Sequence, residues 1–316
     1  MLERILIPLD GSRRSEAVLR QLGTLIRSPG TEVLVVRATY VHPTVRGVDP
    51  TSHLTDCQEE AKSYVSGFVR SLRSAGVQAR GIIPTGFAAG CILDTARTEK
   101  ASLIAMSSHG SSGYARWALG NVAEKVLAAS PIPVLLVRSF HAGTGGSFLP
   151  VPEEELRFRK ILVPTDGSEE SLSVIPAARE LARATGAEIL VLHVAESHAR
   201  SAVTKEIAEV VSDRLRMMGA SASAVSALGD PASQIIDHGL SRRIDLIAMA
   251  TQGSPEGSPW PLGSVTRKVM RALRLPMLVV RSGSGGSAGD WAWKGSLSHP
   301  LALPVPDDSG DPGLPN

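Results

Sequence analysis

Ile5-Leu6-Ile7-Pro8-Leu9-Asp10-Gly11-Ser12 returns 156 residues later as Ile161-Leu162-Val163-Pro164-Thr165-Asp166-Gly167-Ser168, with six of eight positions identical. A short apolar run that stops at Pro-x-Asp-Gly-Ser reads as a buried strand ending in a tight turn. Its recurrence makes the chain a tandem repeat. Leu103-Ile104-Ala105-Met106 comes back as Leu246-Ile247-Ala248-Met249, and Leu136-Val137-Arg138-Ser139 as Val279-Val280-Arg281-Ser282, both 143 residues on. The first copy is therefore longer by 156 − 143 = 13 residues. Because Glu32 to Val36 still matches Glu188 to Leu192 at the larger spacing, the excess falls after it, in the polar stretch from His42 to Asp56.

Working outward from the first strand, apolar runs rich in Val, Ile and Leu alternate with helical patterns, the signature of βα units on a buried parallel sheet. Five strands are expected in the first copy, near Arg4 to Leu9, Glu32 to Ala38, Val77 to Ile83, Ser102 to Ser107 and Ile132 to Val137. Ala61, Tyr64, Val65, Phe68, Val69 and Leu72 recur at three- and four-residue spacings, so they form one face of a helix and read as core. The first domain is placed at 1–139 and the second at 159–282, joined by a linker at 140–158 whose Gly, Pro and Glu153-Glu154-Glu155 are linker composition. From 283 to 316 the chain turns Ser/Gly- and then Pro/Asp-rich without periodicity, and a disordered tail is expected. Trp291 and Trp293 within it could anchor a partner.

Composition excludes several classes. In 316 residues, 33 basic and 31 acidic side chains leave a formal charge of +2, too small to argue for a polyanionic partner. Aromatics are only 4% of the chain, little material for stacking nucleic-acid bases. Cys57 and Cys91 have no CxxC spacing and read as free thiols of a reducing cytosol. The start of the chain, MLERILIPLD, lacks the form of a signal peptide, and no apolar run approaches the ~20 residues needed to span a bilayer. A soluble, cytoplasmic protein that contacts neither membrane nor nucleic acid is expected.

Chemistry is expected outside the carboxyl ends of the strands, where open parallel sheets hold their ligands. Asp10 and Asp166 sit at the first strand's tip in each copy. The plain alternative is that the Asp, or the Ser two residues on, only caps the next helix. After the fourth strand comes Ser107-Ser108-His109-Gly110-Ser111-Ser112-Gly113, then Gly120-Asn121 and a helical pattern. Glycines ahead of a helix let N–H groups approach an anion, and the helix N-terminus adds its positive dipole end. A polyphosphate fits, although turns and caps alone would need the same glycines. No Gly-Lys-Ser/Thr and no GxGxxG is present in these loops. His109 faces Gln252 in the second copy, and no Ser/His/Asp set can be assembled around it. Arg13-Arg14, against Glu169-Glu170, read as a solvated helix face.

The combination of Pro-x-Asp-Gly-Ser, Ser-Ser-His-Gly, Gly-Asn-Val-Ala-Glu-Lys-Val and Ile-Pro-Val-Leu-Leu-Val-Arg resembles the universal stress protein family, from Leu2 to about Ser139 and again from Lys160 to about Ser282. The resemblance implies two tandem five-stranded, mostly parallel α/β sandwich domains of Rossmann-like type, akin to the adenine nucleotide α-hydrolases. It implies ATP, with or without Mg²⁺, as ligand. The family's Gly-x2-Gly-x9-Gly-Ser/Thr pattern falls on Ser107, Gly110, Gly120 and Asn121, and on Ala250, Gly253, Gly263 and Ser264. Adenine and ribose would lie near Asp10 and Asp166 and against the backbone at Ala38 and Val194. The first glycine is replaced in both copies, adding a Cβ where the backbone would approach the ribose. The second copy's loop also carries three prolines and Glu256, which makes the first copy the expected working site.

The resemblance further implies an internal pseudo-dimer through the last strands, pairing the one ending at Val137 with the one ending at Val280, and leaves a homodimer and an unidentified protein partner open. The leading expectation is an adenine-nucleotide-binding regulator in a stress response, not an enzyme. A nucleotide-independent scaffold with decayed sites is the alternative. An adenylyltransferase or ATP pyrophosphatase ranks below both, because His-x-Gly-His and Ser-Gly-Gly-x-Asp-Ser are absent.

Overall fold

The structure, a computed structural model, describes residues 2–40, 50–108, 119–138, 140–142, 148–150, 156–195, 201–251 and 262–281. The first half runs β1 (Arg4–Pro8), α1 (Arg13–Gln21), α2 (Gly23–Ile26), β2 (Glu32–Val36), α3 (Pro50–Ser74), β3 (Gln78–Ile82), α4 (Ala88–Thr98), β4 (Leu103–Ser107), α5 (Asn121–Ala129) and β5 (Val134–Val137). A two-stranded piece, β6 (Phe140–Ala142) and β7 (Phe148–Pro150), follows. The second half runs β8 (Lys160–Thr165), α6 (Glu169–Leu172), α7 (Ile175–Thr185), β9 (Glu188–Ala195), α8 (Ser201–Met217), β10 (Ala222–Leu228), α9 (Pro231–Ser241), β11 (Leu246–Thr251), α10 (Ser264–Ala272) and β12 (Met277–Arg281).

Each half is a five-stranded parallel α/β unit, and the halves join in one ten-stranded sheet of order β10-β9-β8-β11-β12-β5-β4-β1-β2-β3. The runs that opened the sequence are the middle of each half: Ile5, Leu6 and Ile7, like Ile161, Leu162 and Val163, are fully buried. A parallel strand with helices on both faces hides every side chain, which is why these runs do not alternate with polar residues. The expected strands lie where the apolar runs placed them, shortened by one or two residues at their ends. In α3, Ala61, Val65 and Val69 are buried, and Tyr64, Phe68 and Leu72 are half-buried around them.

At the seam β12 pairs antiparallel with β5, setting Met277 against Leu136, Leu278 against Leu135 and Val279 against Val134. All six side chains are buried. Next to them Arg138 reaches across to the end of α10, donating to the Leu273 carbonyl at 3.2 Å and to the Met270 carbonyl. Burial pushes its guanidinium pKa down, and the two helix-terminal carbonyls satisfy it.

Two sequence expectations are modified. The linker is not wholly irregular: Phe140 pairs with Pro150, His141 with Leu149 and Ala142 with Phe148, because Gly143, Gly145 and Gly146 separate two short apolar runs that can form a hairpin. The first copy's extra length is partly helical, since α3 has 25 residues and α8 has 17. Residues 41–49 lie outside the described residues, as do 283–316 with Trp291 and Trp293.

The fully buried Leu135 at the seam gives a direct check of its weight. Leu135→Ala is expected to lower stability by about 2–5 kcal/mol, read as a reduced urea midpoint.

Candidate functional site

β1 and β8 are the points at which strand order reverses, since each lies between the second and fourth strands of its half. Both leave the sheet through a left-handed glycine, Gly11 at φ +86° and Gly167 at φ +82°. In the first turn Asp10 Oδ1 accepts from the Ser12 N–H at 3.0 Å, the Ser12 hydroxyl at 2.6 Å and the Ser15 hydroxyl at 2.7 Å. In the second, Asp166 Oδ1 accepts from the Ser168 N–H at 2.9 Å and its hydroxyl at 2.5 Å. Ser168 is the N-cap of α6 and accepts from the Ser171 N–H, as Ser12 does from the Ser15 N–H at 3.3 Å. The serine caps and the aspartate holds the cap, so part of the plain reading holds for both motifs. Desolvation works to raise Asp166, but the Ser168 and Ser171 hydroxyls and the Ser168 N–H outweigh it and keep the carboxyl below its usual range.

The turn has a consequence for the neighbouring strand. The N–H groups of Arg37 and Thr39 donate to the Ile82 and Pro84 carbonyls of the β3 side, and the Val36 carbonyl accepts from Leu9. By the alternation of a parallel ladder, Ala38 turns its N–H and C=O toward β1, which has already turned away. Neither group has a partner among the described residues. In the second half β8 stays paired one residue longer, through Thr165 against His193, and covers more of the edge beside Val194.

The fourth strands end at the same rim. Ser107 closes β4 and is buried; Ala250, the next-to-last residue of β11, is half-buried and accepts from the Thr266 hydroxyl at 3.3 Å. Gly120 is the N-cap of α5 and Gly263 that of α10, neither helix having a side-chain cap. Asn121 and Ser264 are the first helical residues, so the opening N–H groups of both helices face the rim. The Gly120 N–H is itself held by the Ser108 carbonyl at 2.9 Å. The charges differ: Glu124 stands in the first turn of α5, and its counterpart in α10 is Arg267. The structure thus gathers Asp10, Ala38, Ser107, Gly120 and Asn121 at one rim and Asp166, Val194, Ala250, Gly263 and Ser264 at the other. Gly110 and Gly253, with His109 and Gln252, lie outside the described residues.

Sequence reasoning missed the side chains beneath the turns. Arg37 packs under Gly11, stacks on Tyr64 with 4.6 Å from guanidinium carbon to ring centroid, and pairs with Glu60 at 2.9 Å. Burial and the 2.8 Å bond to Glu16 push the Tyr64 phenol up. At the matching position His193 is buried, its pKa pushed down by burial against the opposing pull of Asp166, and its Nδ1 has no partner among the described residues. The signal was a polar residue ending each second apolar run, Val36-Arg37 and Leu192-His193.

Two five-stranded parallel units whose strand ends gather at two rims define an α/β protein of the class in which bound ligands lie outside the carboxyl ends of the strands. The family model described as universal stress protein family matches residues 1–138 and 157–281, and the chain belongs to that family. It is 30% identical over 147 residues to the universal stress protein YxiE of Bacillus subtilis, covering 39% of this chain and 99% of that one. It is 26% identical over 197 residues to the universal stress protein Rv2005c of Mycobacterium tuberculosis, covering 58% of this chain and 63% of that one. The crystal structure of a universal stress protein from Archaeoglobus fulgidus superposes with a TM-score of 0.71 at 24% identity, covering 90% of this chain and all of that one. Among the described residues no helix is long and apolar enough to cross a membrane, and no cluster of His, Cys, Asp and Glu is arranged to hold a metal.

Asp166, held below its ordinary 3.8, stabilises the fold above that value, and the contribution disappears as pH falls through the depressed folded pKa. Asp166→Asn is therefore expected to lower the denaturation midpoint at pH 7 and to match the wild type once the wild-type carboxyl is protonated. A gap that widened toward low pH would contradict this.

Proposed function

We propose that the protein is an adenine-nucleotide-binding regulator of a stress response, with ATP as ligand and the first half as the stronger site. The observation that carries the proposal is the open main chain of Ala38. An adjacent N–H and C=O without partners, beside a carboxylate at a strand tip, match the donor and acceptor on the edge of an adenine ring. The uncapped start of α5 lies across the same rim and suits the phosphates through its N–H groups and dipole. Asp10 would accept from ribose hydroxyls, and Asn121 could add an amide donor. Any Mg²⁺ would come with the phosphates, for the described residues offer no ligand cluster of their own.

The longer pairing of β8 supports the preference for the first half, whereas Arg267 in place of Glu124 works the other way by favouring anions at α10. Among the described residues the carboxylates at the rims, Asp10 and Asp166, are engaged by their own serine turns, so the proposal is a binding protein and not an enzyme. One observation favours the scaffold reading: the aspartates at both rims already serve their own serine turns.

Calorimetry with MgATP separates the two. Saturable binding in the wild type, weakened at least about tenfold by Asp10→Ala with Gly120→Val and less by Asp166→Ala with Gly263→Val, is the expected result. No binding at millimolar ATP would leave the scaffold.

A further inference from the structure

The ten-stranded sheet has two free edges, β3 and β10, and the fold treats them differently. Beside β3 lies a groove of about 720 Å³ between that strand and α3. Val65, Val69 and Ile83 contribute its apolar part, while Lys62, Arg70 and Arg73 supply cations. Among the described residues no carboxylate lines it. Lys62 and Arg70 are exposed and have no ion pair among the described residues.

The strand itself is prepared for pairing. Ile82 and Pro84 turn their carbonyls toward β2 and its continuation, so the alternate residues Ala79, Gly81 and Ile83 direct N–H and C=O outward. Arg73 Nε covers the Ala79 carbonyl at 2.8 Å. The main-chain groups of Gly81 and Ile83, both in the groove, have no outward partner among the described residues. Gly81 also sets the closeness of the helix, since a Cβ there would come within 2.3 Å of Val65 Cγ1.

The second repeat is an internal control. It keeps the arginine that covers the edge, Arg216 donating to the Ala222 carbonyl at 2.9 Å. It does not keep the charge. Glu209 and Asp213 stand where the first repeat has Ser66 and Arg70, Asp213 pairs with Arg216, and Ala224 replaces Gly81. Lys62 and Arg73 have basic counterparts in Lys205 and Arg216, whereas Arg70 is replaced by a carboxylate, so the same fold protects an edge without a net positive groove and Arg70 is not demanded by folding.

We infer that the β3 edge is a docking site for an extended acidic peptide segment of a partner protein, which adds as a further strand and sets its carboxylates against Lys62, Arg70 and Arg73. Main-chain pairing at Gly81 and Ile83 supplies the register, and the cations select sign. A peptide strand is favoured over nucleic acid because no aromatic side chain among the described residues lines the groove.

The test uses the full chain and a short blocked peptide of alternating Glu and Val, followed by fluorescence anisotropy. Saturable binding is expected, weakened at least about tenfold by Ser66→Glu with Arg70→Asp, which transplants the second repeat's residues. The same loss is expected when alternate peptide nitrogens are methylated, because that blocks the ladder and leaves the charge. Circular dichroism of the variant checks that its fold is unchanged. Absence of binding to the wild type overturns the inference. So does equal binding of the methylated peptide, which would mean attraction by charge alone, or equal binding of oligothymidine, which would mean a general polyanion groove.

Discussion

Each half of the sheet is organised by one left-handed turn, at Gly11 and at Gly167. A residue with a Cβ pays about 1–2 kcal/mol for that conformation, which is why glycine stands at both places. The turn lets β1 and β8 leave the sheet abruptly, sets Ser12 and Ser168 to cap the following helices, and fixes Asp10 and Asp166 at the rim. In the first half it also strips the neighbouring strand of its partner at Ala38. A more gradual exit would have satisfied that main chain internally. The opening at the rim is a by-product of how the strand ends.

The seam between β5 and β12 has a complementary role. Two apolar edge strands that would each invite association cover one another, and Arg138 fastens the junction to α10. α10 begins at the second rim with Ser264 and ends at Arg138 of the first half. The seam leaves β3 and β10 as the sheet's free edges. With two copies of one sequence in a single chain, each half has been able to take a different surface, as the replacement of Arg70 by Asp213 shows.

Much of this was legible in the sequence because parallel strands must be apolar on both faces. Ile5-Leu6-Ile7 could be nothing but central, and the repeat at Ile161 gave the second half by the same reasoning. The rim residues were legible as types, glycines and aspartates at strand ends, but their partners were not. That Asp10 holds Ser12 and Ser15 depends on the turn's geometry, and the open state of Ala38 depends on where β1 stops relative to β2, a matter of register that residue types do not encode. The place of Arg37 was not legible, because its stack on Tyr64 joins residues far apart in the chain. The hairpin of β6 and β7 was hidden by glycines that suit a linker and a turn equally well.

The most direct measurement is residue-resolved amide hydrogen exchange of the full chain with and without MgATP. The account requires slowed exchange at Ala38 and at the first amides of α5 from Asn121 onward, with Gly81 and Ile83 unaffected. Unchanged exchange at Ala38 and Asn121 under saturating ATP, or protection confined to the amino ends of the strands, would contradict it.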